Sequence, residues 1–96
     1  MEYKIVRIQH SGTCGERWTD REDGRYIHRV GRTVELDVEN IDVGIPTTLH
    51  YLNDQDSSDY SSFILATSRV KRVYVPDDNT VIVETRNSIF RFEKCK

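Results

Sequence analysis

The chain has 96 residues, 36% of them hydrophobic and 31% charged, which suits one domain over residues 1–96 with a lean core. Its formal net charge of −2 offers no bulk attraction to nucleic acid or to a membrane surface. No apolar run approaches the roughly 18 residues that a transmembrane helix needs.

The first run, YKIVRIQ at 3–9, is short and rich in β-branched residues and reads as a strand. A long loop over residues 10–25 follows, HSGTCGERWTDREDGR, in which charges of both signs alternate around the only tryptophan, Trp18. YIHRVGRTVELDV at 26–38 then alternates with a period of two. Its even positions are largely apolar and include His28, so we expect one long strand bent near Gly31, or two short ones. Asn40, Gly44 and Pro46 mark a loop. TLHYL at 48–52 is a short strand, and NDQDSSDYSS at 53–62 is a polar loop.

Between Ser62 and Val75 the pattern predicts one or two strands, with a break or bulge near Lys71–Arg72 where the alternation slips. The end of the chain carries two turns, one around Pro76–Asn79 and one at Arg86–Asn87. The strands they join form a three-stranded meander, with Val73, Val75, Val81, Val83, Phe90 and Phe92 on its core face. No stretch carries a helical period over about 11 residues. The expected fold is all-β: a small barrel or strongly bent antiparallel sheet of about five to seven short strands. Closure would protect the sheet edges, and any uncapped edge offers a route to homo-oligomers.

Charge is unevenly spread. Residues 37–68 carry six acidic and no basic side chains, whereas residues 69–96 carry seven basic and four acidic ones. The expectation is an acidic middle lying beside a basic end, with a salt-bridged sheet exterior.

Metal and catalytic chemistry find little support. His10 and Cys14 stand four apart, but no CxxC pair accompanies them. Asp54, Asp56 and Ser58 match the start of a calcium loop, which then lacks its glycine at Asp59 and its glutamate at Leu65. Cys14 with His10 or His28 is the one nucleophile arrangement to consider, and nothing in the sequence supplies an oxyanion site. Every Asp and Glu reads as surface-placed. We expect no metal, no cofactor and no enzymatic activity. MEYKIVRIQ lacks the charged-then-apolar order of a signal peptide, and with two cysteines the expected compartment is the cytoplasm.

Two binding surfaces remain. Trp18 is expected to cap the lean core, or else to meet a protein partner together with Arg17 and Arg21. Arg69, Lys71 and Arg72 interleave with Val70 and Val73 next to Tyr74, an arrangement able to take single-stranded nucleic acid on an outer face. The principal expectation is a non-enzymatic accessory module that binds a protein through the 10–25 loop and the acidic middle. The nucleic-acid platform is the alternative, and a Cys14-dependent enzyme a remote third.

Within residues 67–93, Thr67, Ser68, Val70, Thr85, Asn87, Ser88 and Phe90 resemble the C-terminal hairpin pattern of short uncharacterised proteins of bacteriophages and mobile elements of Gram-positive bacteria. The resemblance covers under a third of the chain. It implies a β-rich accessory protein and carries no activity.

Overall fold

The computed structural model describes residues 1–23 and 26–95. Gly24 and Arg25, inside the expected 10–25 loop, and Lys96 lie outside the described residues. The elements are β1 (Glu2–His10), a single helical turn α1 (Tyr26–Arg29), β2 (Thr33–Glu35), a 3-10 turn (Val38–Asn40), β3 (Pro46–Asn53), β4 (Ile64–Asp77), β5 (Thr80–Thr85) and β6 (Ser88–Lys94). The strands close into a barrel in chain order, and β6 returns to β1. Every neighbouring pair is antiparallel. The fold is therefore all-β, a small closed barrel that ends in the meander β4–β5–β6.

Alternation along β1 explains how it faces the core. Tyr3 and Ile5 point inward, and strict alternation would next bring Arg7 inside. The register instead shifts between Ile5 and Arg7. This one-residue bulge returns Ile8 to the core, where it is buried, and leaves Arg7 exposed. The core comprises Tyr3, Ile5, Ile8, Val34, Leu36, Leu49, Tyr51, Val70, Val81, Val83, Phe90 and Phe92.

Two expectations about elements are corrected. The period-two stretch starting at Tyr26 does not begin as a strand: residues 26–29 make one helical turn, and His28 is exposed rather than on an apolar strand face. Tertiary contacts override the local pattern here. Tyr26 lies between the guanidinium groups of Arg21 and Arg29, 3.8 and 4.5 Å from its ring centroid. Gln55 Nε2 donates to the carbonyls of Ile27 and Val30 at 3.2 and 2.6 Å, satisfying groups that a helix end leaves free. Gly31, at φ +97°, then turns the chain toward β2.

The second correction concerns the core face of the meander. Val81, Val83, Phe90 and Phe92 are buried as expected, and Val73 is half-buried. Val75, however, is 58% exposed. The cause is strand length. β3 ends opposite Arg69 at Pro46, while β4 runs on to Asp77 paired with β5 alone, so Val75 overhangs the barrel rim. The bulge expected near Lys71–Arg72 is present, as a register shift between Val70 and Arg72. Both predicted hairpin turns are present as well, joining Asp77 to Thr80 and Thr85 to Ser88.

Candidate functional site: a pinned loop and an open basic strip

The loop after β1 is fastened to the outside of the barrel. At its start Ser11 Oγ donates to the Arg86 carbonyl at 2.5 Å, and Thr13 Oγ1 donates to Asn87 Oδ1 at 2.9 Å. On its return it runs back along β1. The Trp18 N–H reaches the His10 carbonyl at 3.0 Å, the His10 N–H reaches Thr19 at 2.8 Å, and the Arg21 N–H reaches Ile8 at 2.9 Å. Gly15 passes directly over His10: a Cβ there would stand 2.8 Å from the imidazole ring, so no other residue fits without displacing the ring.

The strongest tie is ionic. On β5, Val81 and Val83 point inward, so Glu84 points outward, in the same row as Ile89 and Gln9 of the neighbouring strands. Yet Glu84 is 1% exposed and Ile89 2%, because the loop lies over them. Arg17 Nη1 and Nη2 donate to the two Glu84 oxygens at 2.5 and 3.0 Å, a bidentate pair. Not every acidic residue is at the surface, contrary to the sequence expectation. Ile82 and Ile89, apolar residues on the outer face of the meander, were the available signal that something covers it.

Arg21 turns inward too. It is 7% exposed, donates from Nε and Nη2 to Asp23 at 3.2 and 2.8 Å, and reaches Ser88 Oγ at 2.9 Å and the Asn87 carbonyl at 3.2 Å. It seals one end of the barrel between Tyr26 and the β5–β6 turn. Of the three residues expected to meet a partner, Arg17 and Arg21 are thus committed to the protein itself.

The Arg21 hydrogen bond is the leading cause that holds the Asp23 carboxyl below its ordinary 3.8. Asp23 therefore adds stability above that value and loses it as pH falls through the lower folded pKa. In thermal melts across an acid series, wild type is expected to exceed Asp23→Asn by a constant margin at neutral pH. The margin should narrow as pH falls below the ordinary carboxylate value and vanish once the lowered folded pKa is also passed, where the carboxylate is protonated in both states.

Trp18 does the opposite of Arg17 and Arg21. Rather than capping the core as expected, it is 50% exposed, and its φ of +74° lies in the left-handed region that side chains avoid. The residues on either side are fixed, and Gln9 Nε2 donates to the Trp18 carbonyl at 2.6 Å. The Arg17 guanidinium, 4.8 Å from the indole centroid, supports the ring from one side.

The second surface lies on β4. Arg69, Lys71, Arg72 and Tyr74 are all exposed, and Arg72 Nη1 lies 3.4 Å from the Tyr74 hydroxyl. Arg69, Lys71 and Arg86 line one shallow cleft of about 520 Å³. Across the sheet, Tyr74 stands beside Ile82, then Arg91, then Arg7. Among the described residues none of Arg69, Lys71, Arg72, Arg86 or Arg91 enters an ion pair, in contrast to the expected salt-bridged exterior. Of the acids of the middle segment, Asp54 holds Arg32 at 3.0 Å, Asp37 accepts from Asn40, and Asp56 and Asp59 accept from Ser58 and Ser61 within their own turns.

A third feature escaped the sequence reading. Arg32 lies over the rings of Tyr51 and Tyr60, at 5.0 and 4.3 Å, and Phe63 stacks on Tyr60 at 4.4 Å. These residues border a groove beside His28 and Arg29. Residues from three separate stretches of the chain build it, so no local motif announces it.

Cys14 is exposed and Cys95 partly buried, and both are free. No hydrogen bond joins Cys14 to His10 or His28 among the described residues. Nor do three His, Cys, Asp or Glu side chains converge there as metal ligands. No described helix is long and apolar enough to cross a membrane. No protein-family model matches the chain, and no curated protein or solved structure matches it.

Proposed function

We propose that this protein is a non-enzymatic interaction module that binds a protein partner through Trp18. The presentation of Trp18 carries this reading: a large aromatic side chain held half-exposed, at a strained backbone angle, on a loop pinned by a buried ion pair. Strain of about 1–3 kcal/mol persists only where the surrounding structure enforces it, and it gathers at binding sites. Tryptophan is enriched among the few residues that dominate binding energy, and a ring already fixed in place avoids the ordering cost on association. The mobile-element accessory role implied by residues 67–93 belongs to the same reading. Affinity capture from nuclease-treated host lysate, with wild type and Trp18→Gly in parallel, tests it. A partner retained by wild type and lost by the variant supports the reading, and partners retained equally by both refute it.

The basic strip on β4 favours a second reading, a single-stranded nucleic-acid platform. None of its cations enters an ion pair among the described residues, and Tyr74 offers a ring for base stacking. A labelled oligonucleotide titrated at two salt concentrations is expected to bind at low salt and to weaken steeply as salt rises. Replacing Arg69 and Arg72 by Ala should flatten that dependence by about two charges. Absence of binding at low salt removes this reading.

A further inference from the structure

The barrel is closed, yet one stretch of strand edge remains open. Past Arg69, β4 has no strand on the side away from β5. The 44–45 loop covers that side only at Val70, whose N–H and C=O bond to Ile45 and Gly44 at 3.0 and 2.8 Å. From Lys71 to Asp77 the described residues supply no backbone partner for this edge.

The direction of its free groups follows from the ladder. The Arg86 N–H reaches the Arg69 carbonyl at 2.9 Å, so even-numbered residues of β5 turn their backbone groups to β4. Val83, opposite Val73, is odd. Val73 therefore turns its N–H and C=O away from β5; Tyr74, opposite Ile82, turns its own toward β5, and Val75 next to it turns away again, at the register shift that lies between Tyr74 and Asp77. Such an edge is a template for another strand.

We infer that the edge Lys71–Asp77 pairs antiparallel with the same edge of a second copy of this chain, about a twofold axis through Tyr74. The segment KRVYVPD is self-complementary in that register. Val73 faces Val75 twice, and these are the residues whose backbone groups are free. Lys71 faces Asp77 twice, joining opposite charges at both ends. Pro76, which has no N–H, falls opposite Arg72, where the ladder asks for no donor. Val75, exposed on the overhang, is covered on one face, and the two Tyr74 rings meet on the other. Any one-residue slip breaks all of these matches together, so Lys71, Arg72 and Pro76 both deter unrelated strands and select this register. A twofold interface of this kind uses one patch on both copies.

Sedimentation equilibrium from about 1 μM to about 1 mM, the range of small interfaces, tests the pairing. Wild type is expected to move from its monomer mass of 11.3 kDa toward twice that value. Val75→Pro removes an edge N–H that has no internal partner, and Lys71→Asp sets like charges opposite each other. Both variants should stay monomeric across the range and melt like wild type. Amide exchange of unmodified protein gives an arm that needs no variant: Val73 and Val75 should exchange more slowly at high concentration than at low. A monomer mass at every concentration, a dimer that survives both substitutions, or exchange that ignores concentration would overturn the pairing.

Discussion

Arg17→Ala is expected to lower folding stability by about 3 kcal/mol. Glu84 is 1% exposed, and both its oxygens are held by Arg17. Removing one partner of a buried pair typically costs about 3–5 kcal/mol, because the remaining charge is left without compensation. The Arg17 side chain is itself 34% exposed, so truncation opens a path for water to Glu84 and places the cost at the lower end of that range. Of a total stability of about 5–15 kcal/mol this is a large share. It should show as a fall of about 12 °C or more in the melting temperature of a domain this size. Replacing both partners together, Arg17→Met with Glu84→Leu, should recover most of the loss, since no charge is then stranded. Arg17→Ala within about 0.5 kcal/mol of wild type would mean that the pair does not pin the loop.

How far the sequence discloses this protein depends on the range of the contacts that decide each feature. The meander is legible because local rules set it: β-branched alternation along Thr80–Thr85 and aromatic alternation along Ser88–Lys94, with turn-forming residues between them. The bulge after Val70 is legible as a slip in that same alternation. The turn at Tyr26–Arg29 is not, because Arg21 and Gln55 decide it from outside the segment. The sequence pattern also counts Val75 as core, since alternation gives a residue's face but not where its neighbour strand stops.

The candidate site divides in the same way. Exposure of Arg69, Lys71, Arg72 and Tyr74 follows from their strand and is readable in advance. The partition of the 10–25 loop is not. Arg17, Trp18 and Arg21 are neighbours with similar surroundings in sequence, yet Arg17 and Arg21 bond inward to Glu84, Ser88 and Asn87 while Trp18 turns out. Those partners lie more than sixty residues away along the chain, and only barrel closure brings β5 and β6 under the loop.

Trp18→Gly separates fold from function most cleanly. At φ +74° a tryptophan carries a left-handed backbone cost of about 1–2 kcal/mol that glycine does not. Against that gain stands the loss of the contacts of a half-exposed ring, chiefly the one with Arg17, worth about 0.5–1 kcal/mol at an exposed position. Glycine also enlarges the freedom of the unfolded chain, at about 0.5–1 kcal/mol. These terms nearly cancel, so the melting temperature is expected to stay within a few degrees of wild type. Partner affinity should fall by about 2 kcal/mol or more, close to 30-fold, as for truncation of a central aromatic anchor. Arg17→Ala gives the complementary result: it keeps the indole but loosens the support that fixes it. It should weaken binding by less than Trp18→Gly while costing far more stability. Titration calorimetry of the captured partner, run beside thermal melts of both variants, reads the two quantities independently. If Trp18→Gly bound as tightly as wild type, the strained exposure of this residue would have no part in recognition.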